Sequence, residues 1–155
     1  MDRRLVIALA IGGLLVNSGC GGSSSPSSPT VAAPTPTPAP VTTTVTSGAG
    51  SIAPLTTGPV TDFSLGSPGT ISATFRWTFA SSDIDIWVLS GTSCTTTDNS
   101  GVPSGAGCTI LCRDVGVTGT SATCSFAGTA GTYRLWATNY GTQNESGTYT
   151  VTVTR

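Results

Sequence analysis

The chain of 155 residues contains no histidine and no lysine, and only 8% of its residues are charged. Nucleophilic catalysis needs a base beside the nucleophile, so a Ser-His-Asp, Cys-His or Ser-Lys arrangement cannot be built from this composition. The only cationic side chains are arginines, and the formal net charge is −1. Because phosphate binding requires a basic patch, we expect no nucleic-acid partner.

Long hydrophobic runs are also missing. The longest one extends from Leu5 to Val16, which is shorter than the roughly 20 residues that span a bilayer. It follows the two arginines Arg3 and Arg4 and precedes the small residues Ser18 and Gly19. A positive start, a short apolar segment and a small-residue cleavage site are typical of a secretory signal. We therefore expect residues 1–19 to be a signal peptide.

Cys20 comes directly after this predicted cleavage site. The run VNSGC at 16–20 resembles the bacterial lipobox, with Asn17 at a position where that family has an aliphatic residue. The resemblance implies a lipoprotein whose mature chain begins at acylated (palmitate-bearing) Cys20 and is held in the membrane at about 0.8 kcal/mol per buried CH₂. Gly21 in place of Asp implies the outer membrane of a Gram-negative cell envelope. A cleaved signal with an incidental cysteine is the alternative.

Residues 20–44 consist almost entirely of Ser, Pro, Thr, Ala, Gly and Val, with proline at every second position of 34–40. Such a segment cannot bury enough apolar surface to offset the entropy of ordering it, and alternating proline favours an extended polyproline II conformation. We expect a disordered, lipid-anchored linker over 20–44. The remaining residues, 45–155, are enough for one domain with a single core.

Apolar and polar residues alternate in several short segments of this domain, which predicts strands with one buried and one solvated face. Clusters of Gly and Ser separate the segments, and none shows helical spacing. The sequence predicts an all-β fold, an antiparallel β-sandwich. The predicted strands are 61–65, 70–79, 84–88, 109–115, 122–126, 133–138 and 148–154.

Two of these patterns carry a family resemblance. The runs ATFRWT at 73–78 and DIDIWV at 83–88, with GTY at 131–133 and at 147–149, resemble the bacterial pre-peptidase C-terminal (PPC) domain over about residues 61–154. The resemblance implies a jelly-roll-like β-sandwich of a secreted bacterial protein, of which some members bind calcium, collagen or polysaccharide. This chain differs from the family in having no protease attached and four cysteines in the domain.

The domain contains an even number of cysteines, which in an exported chain predicts two disulfides. Three pairings are possible, and we favour local pairing because each pair then closes a short loop or joins neighbouring strands. The alternative is a zinc site at the C-x₃-C spacing, but the chain has no histidine to complete it. The predicted bridges are Cys94–Cys108 and Cys112–Cys124.

A small group of carboxylates and amides provides a candidate metal site. Asp83 and Asp85 lie two residues apart on a predicted strand, and Asn139, Asn144 or Glu145 are candidate further ligands. Calcium prefers six to eight oxygen ligands, and too few acids cluster here to provide them, so we predict no cofactor, with calcium binding as the alternative. The same two aspartates could serve as a glycosidase pair if both lay in a cleft, and their alternative role is structural.

The aromatic residues Trp87, Trp136 and Tyr140 fall on the strand face opposite the aliphatic residues. Exposed rings on a sheet can stack on sugars or on prolines of a protein partner, so these three are the candidate ligand-binding residues. In the alternative, the rings pack under a loop or stack on Arg76 or Arg134.

Three functions are consistent with the sequence. The first is a membrane-anchored, non-catalytic accessory or binding module for a polysaccharide or an extracellular protein. The second is a purely structural envelope lipoprotein without a small ligand, and the third is a small hydrolase that uses Asp83 and Asp85. Exposure of Trp87 and Trp136 would favour the first over the second, and a cleft containing both aspartates would favour the third.

Overall fold

The computed structural model describes residues 35–116 and 119–155. The predicted signal peptide, the predicted lipidation site Cys20 and the predicted linker up to residue 34 lie outside the described residues. Within the described ranges, no helix has the length and apolarity needed to cross a membrane.

The described residues form strands connected by turns and loops, and this confirms the predicted all-β class. Every strand predicted from period-two alternation is present, with ends that differ by a few residues. The strands are β1 (Thr42–Ile52), β2 (Thr56–Leu65), β3 (Gly69–Trp77), β4 (Ile84–Ser90), β5 (Thr109–Asp114), β6 (Ser121–Gly128), β7 (Gly131–Asn139) and β8 (Glu145–Thr154).

The strands form two four-stranded antiparallel sheets. The first has the order β1-β8-β3-β6 and the second has the order β2-β7-β4-β5. Consecutive strands alternate between the sheets from β1 to β4 and from β5 to β8, which is the strand order of an eight-stranded jelly roll. The predicted jelly-roll-like sandwich is therefore confirmed.

The core lies between the two sheets and is built from the inward-facing residue of every second position. In β3 these are Ile71, Ala73, Phe75 and Trp77, all of them buried. Ile84, Ile86 and Val88 of β4 and Tyr133, Leu135 and Ala137 of β7 face them from the second sheet. Alternation thus predicted the inner faces correctly, because a strand places successive side chains on opposite sides.

Strand β1 was not predicted. It begins at Thr42, inside the segment 20–44 that we expected to be linker, so the domain starts earlier than the predicted residue 45. Its sequence TTTVTSGAGSI has no apolar alternation. The strand forms because it pairs along its length with β8, from Thr42 opposite Thr154 to Ile52 opposite Glu145.

Both predicted disulfides are present. Cys94–Cys108 closes the loop between β4 and β5, and Cys112–Cys124 joins β5 of one sheet to β6 of the other. The second bridge therefore ties the two sheets together along one side of the sandwich. On the opposite side, the edge strands β1 and β2 are connected only by the short turn 53–55.

Candidate functional site

The expected exposed aromatic surface does not exist in this structure. Trp87 and Trp136 lie directly opposite each other on β4 and β7, on the outer face of the second sheet, as alternation predicts. Their exposed fractions, however, are 0% and 3%. They form a second apolar cluster with Leu89 and Cys94. Of the three predicted ligand-binding residues, only Tyr140 is exposed, at 36%.

The rings are buried because residues 91–108, which we call the covering loop, fold over this face of the sheet. Val102 and Cys108 of the loop pack against the tryptophan cluster, together with Ile110 of β5. The loop is itself ordered as a small hairpin, in which Thr97 pairs with Pro103. Oδ1 of Asp98 accepts hydrogen bonds from the backbone N–H groups of Ser100 and Val102 and thereby fixes the turn.

Polar contacts from β7 and the turn that follows it hold the covering loop in place. Arg134 donates a hydrogen bond from Nη1 to the carbonyl of Cys94 (2.9 Å), and Thr138 Oγ1 donates to the carbonyl of Gly101 (3.0 Å). The Tyr140 hydroxyl donates to the carbonyl of Ser100 at 2.6 Å. Tyr140 is therefore a support of the loop, and its burial, with the nearby charge of Asp85, raises the pKa of its hydroxyl.

Gly101 shows how closely the loop approaches the sheet. Its φ of +77° is a conformation that L side chains rarely adopt, and a Cβ there would lie 2.9 Å from Oγ1 of Thr57 and 3.1 Å from Cγ2 of Thr138. Glycine is needed at this position for both reasons. The sequence carried a signal for this contact in the Asn-Ser-Gly turn at 99–101, but not for the surface that the turn would cover.

The three residues predicted to bind calcium do not come together. Asn139 lies opposite Ile84, so its side chain is on the inner face, whereas Asp85 is on the outer face of the same sheet. Asp85 and Asn139 of the predicted set therefore lie on opposite faces of the sheet, and calcium binding by this set stays a prediction. Among the described residues, no group of three or more His, Cys, Asp or Glu side chains is arranged to hold a metal ion.

Asp85 is the buried carboxylate of the pair. It is 7% exposed, and Oδ1 accepts a hydrogen bond of 2.7 Å from the N–H of Gly116. Desolvation raises its pKa, the hydrogen bond from Gly116 opposes this shift, and the charges of Asp83 and Asp114 raise the pKa further. Asp83 is exposed. Neither aspartate lines the cleft described below.

Asn139 and Glu145 serve the structure of the sandwich end. The amide of Asn139 donates to the carbonyls of Ile52 and Gln143 and accepts from the N–H of Gly141. Glu145 is fully buried, and its carboxylate accepts from the N–H groups of Thr78 and Phe79 and from the hydroxyl of Ser82. Both side chains satisfy backbone groups of loops that would otherwise be buried without partners.

The best-formed cavity lies elsewhere, between the edge strands β1 and β2 on the side of the sandwich away from the Cys112–Cys124 bridge. This feature, which we call the inter-sheet cleft, has a volume of about 210 Å³. None of the described residues that line it is charged. Its floor is apolar and its rim carries hydroxyl groups. The inward-facing apolar side chains are Ile52, Val60 and Phe75, and the inward-facing hydroxyl-bearing residues are Thr56 and Tyr149. Ser51 and Thr57 also border the cleft, but their side chains lie on the outer faces of the two sheets, where Thr57 Oγ1 donates a hydrogen bond to Thr138 Oγ1.

Glycine creates this cleft. Gly48 lies opposite Tyr149, which lies opposite the core residue Phe75, so Gly48 and Gly50 both face inward. Gly58 lies opposite the core residue Ala137 and faces inward from the other sheet. A Cβ built on Gly50 or on Gly58 would meet no atom within 4 Å. The two sheets therefore present bare backbone to each other where side chains would fill a sandwich.

Other strand glycines have a steric reason that these two lack. At Gly48 a Cβ would lie 2.5 Å from the hydroxyl oxygen of Tyr149, and at Gly69 it would lie 2.6 Å from Cγ2 of Val153. At Gly147 it would lie 2.6 Å from the carbonyl oxygen of Arg76. Glycine inside a strand is destabilising by roughly 0.5–1 kcal/mol relative to alanine and often marks a site of close approach by another group. At Gly50 and Gly58 no group of the protein makes such an approach, and the space that a side chain would fill is open. A ligand group could therefore approach the backbone there.

A second, shallower depression lies on the outer face of the first sheet, beside Arg76 and Thr148, and it shares the wall Ala49–Ser51 with the cleft. The C-terminal half of β1 therefore borders the inter-sheet cleft on its inner face and this depression on its outer face. Sequence reasoning missed this site because no strand was predicted before residue 61, although the run SGAGS at 47–51 is the local signal for it.

No protein-family model matches the chain, and no curated protein matches it.

Proposed function

We propose that this protein is a membrane-anchored, non-catalytic β-sandwich binding module of the bacterial cell envelope, and that its ligand enters the inter-sheet cleft. The observation that carries the proposal is the pair of inward-facing glycines, Gly50 and Gly58, which leave a cleft of about 210 Å³ between the edges of the two sheets. Protein interiors have few voids larger than a water molecule, so an opening of this size is suited to a ligand group.

The cleft also indicates which ligands fit. An apolar cavity of about 150 Å³ can hold a benzene ring, so this cleft can hold one neutral ring or branched side chain. The hydroxyl of Tyr149 can bind a neutral polar group beside it, and Thr56 Oγ1, which donates to the carbonyl of Ala53, can still accept a hydrogen bond. A carbohydrate or an uncharged segment of a protein satisfies both requirements, and a charged ligand group would find no counter-charge among the lining residues.

The anchoring part of the proposal rests on the sequence. The signal pattern at 1–19 and the lipobox resemblance at Cys20 support a lipid anchor in the outer membrane of a Gram-negative cell, and the two disulfides are consistent with an oxidising compartment. The jelly-roll strand order agrees with what resemblance to the PPC domain implies about the fold.

The experiment is a titration of the chain, made soluble by Cys20→Ser, with benzyl alcohol as a neutral ring that carries one hydroxyl. We expect backbone amide shifts in a ¹⁵N–¹H correlation spectrum to concentrate in 49–53 and 56–60. Gly50→Val with Gly58→Val should fill the cleft and remove these shifts. Gly66→Ala is the matched control, since Gly66 also has open space around a Cβ and is outside the cleft.

The second candidate function is a purely structural envelope lipoprotein, and the burial of Trp87 and Trp136 favours it, because the aromatic surface expected for binding is covered. The same titration separates the two candidates. Shifts that are absent, or that persist in the double valine variant, would overturn binding in the cleft and leave the structural function.

A further inference from the structure

Each sheet has two edge strands, and the four edges of this sandwich differ in how they are protected. An edge strand presents unpaired backbone N–H and C=O groups, and proteins usually block such edges with charges, proline, short length or covering elements. β2 carries Pro59 and Asp62, and β5 is only six residues long and ends in Arg113 and Asp114. β6 is closed against β5 by the bridge to Cys124.

β1 has none of these protections over its second half. The strand contains no charged residue and no proline, and among the strands of residues 35–116 and 119–155 it pairs with β8 alone. The one irregularity, between Thr44 and Thr46, affects its first half and leaves 46–52 in regular register with β8. Alternate residues of this regular part direct their N–H and C=O groups away from β8, where an extended chain could pair with them.

The unprotected part of β1 is also the wall of the inter-sheet cleft. Ala49, Gly50, Ser51 and Ile52 line the cleft from the first sheet, and Gly58 lines it from the second. A strand added beside β1 would continue the first sheet at the mouth of the cleft. Because side chains of neighbouring strands point to the same face at paired positions, the inward residue of the added strand would enter the space beside Gly50 and opposite Gly58.

We propose that the ligand of the cleft is an extended, uncharged peptide segment that adds to the free edge of β1 at residues 46–52 and inserts one large apolar side chain between Gly50 and Gly58. This inference rests on the proposed function and names its partner class. Main-chain hydrogen bonds to β1 provide affinity and the cleft provides selectivity for the side chain, as in other β-strand additions. Small polar residues fit the positions on either side, since the lining residues Thr56 and Tyr149 carry hydroxyl groups.

The test uses blocked seven-residue peptides, titrated into the soluble Cys20→Ser chain. The reference peptide is acetyl-Thr-Ser-Thr-Phe-Thr-Ser-Thr-amide, and two relatives carry Ala in place of Phe or N-methyl groups at alternate residues along one edge. Binding is measured by amide shifts and by hydrogen exchange of the β1 amides. We expect the reference peptide to bind at least about tenfold more tightly than benzyl alcohol, and each relative to lose about tenfold.

The protein variants give an independent reading. Gly50→Val with Gly58→Val should abolish selectivity for Phe over Ala, and Gly66→Ala should leave it unchanged. Alternate amides of 47–51 should gain protection from exchange when the reference peptide binds, because they become hydrogen-bonded.

The outcomes separate this inference from the proposed function. If benzyl alcohol binds in the cleft but the N-methylated peptide binds as well as the reference, strand addition is overturned and the cleft remains a binding site. If neither probe binds, both proposals fail. If sedimentation of the ligand-free chain shows a dimer that the Phe peptide does not dissociate, the occupant of the edge is a second copy, and the peptide proposal is overturned.

Discussion

The negative charge of Asp85 lowers the stability of the folded domain. Its carboxylate is nearly buried, and desolvation together with Asp83 and Asp114 raises its pKa, with Gly116 opposing the shift. A group whose pKa is raised on folding has its ionised form penalised in the native state, so the penalty is present at neutral pH. It disappears as the pH falls through the raised value toward the ordinary 3.8.

We therefore expect Asp85→Asn to raise the melting temperature by a few degrees at pH 7, because the amide removes the buried charge and its oxygen can still accept from Gly116. The gain should shrink as the pH falls through the raised pKa of Asp85 and be lost below the ordinary value of 3.8. Thermal unfolding followed by circular dichroism between pH 3 and 8 measures both effects. Asp83→Asn, at an exposed position, is the control. A lower melting temperature for Asp85→Asn at pH 7 would show that the charge-assisted hydrogen bond outweighs desolvation.

Trp136 provides a second prediction at the residue scale. As an exposed binding residue it would tolerate truncation, but its ring is buried beside Trp87 and beneath the covering loop. Trp136→Ala should therefore destabilise the domain by about 3–5 kcal/mol, a large share of the roughly 5–15 kcal/mol expected for a domain of this size.

Chemical denaturation measures this loss, and Tyr140→Phe is the control. It keeps the ring and removes only the hydrogen bond to Ser100, so it should cost about 1 kcal/mol. A Trp136→Ala variant as stable as wild type would contradict the packing described for the second cluster.

The two tryptophans also show what alternation can and cannot predict. Period two placed Trp87 and Trp136 on the outer face of the second sheet, and that is where they lie. Whether an outer face meets water depends on where a loop of mixed Gly, Ser and Thr folds back, and the sequence of the covering loop has no apolar pattern that shows it. Composition likewise could not show that the opposing positions of Gly50 and Gly58 would leave a cavity.

Among the elements, the covering loop is the one whose position we expect to depend on a disulfide, Cys94–Cys108. Cys94–Cys108 closes a span of 14 residues, and a loop of this size corresponds to about 3 kcal/mol in the chain-entropy model. We expect Cys94→Ala with Cys108→Ala to lower stability by up to that amount and to uncover the outer face of β4 and β7. Acrylamide quenching of tryptophan fluorescence should increase, since Trp87 and Trp136 would become accessible.

The matched control is Cys112→Ala with Cys124→Ala, which removes a loop of similar length, with a separation of 12 residues, at the side of the sandwich. It should lower stability comparably while the folded form keeps its low quenching. Equal quenching in the two double variants would mean that the covering loop is held by Arg134, Thr138 and Tyr140 without help from its disulfide.

A strand was predictable where its own sequence alternates between apolar and polar residues, and was missed where it does not. β3, β4 and β7 carry alternating large apolar residues, and all three were found from the sequence. β1 has only Val45 and Ile52 as larger apolar residues, and it is a strand because β8 offers it a ladder of hydrogen bonds. A pairing between residues separated by about a hundred positions in the chain leaves no trace in the local sequence.

For the whole molecule, the proposed anchor predicts a change of location without a change of fold. Cys20→Ser should shift the protein from the detergent phase to the aqueous phase in Triton X-114 partitioning and abolish labelling with a fatty-acid analogue. Ser18→Ala, which keeps a small residue before the cleavage site, should leave both unchanged. Unaltered membrane association in Cys20→Ser would mean that the cysteine is incidental and that the signal is an ordinary cleaved one.

The pairing of Val41 with Arg155 has a practical consequence. The backbones of these residues exchange hydrogen bonds at 2.8 and 3.0 Å, so the chain enters and leaves the sandwich at one end of β1. The Ala49–Ile52 wall is at the other end of the same strand, about 25–35 Å away at roughly 3.3 Å per residue. A bead, a fluorophore or a fused protein attached at either end of the domain is therefore far from that wall. The domain can be immobilised by its C-terminus for display or affinity capture with the cleft unobstructed.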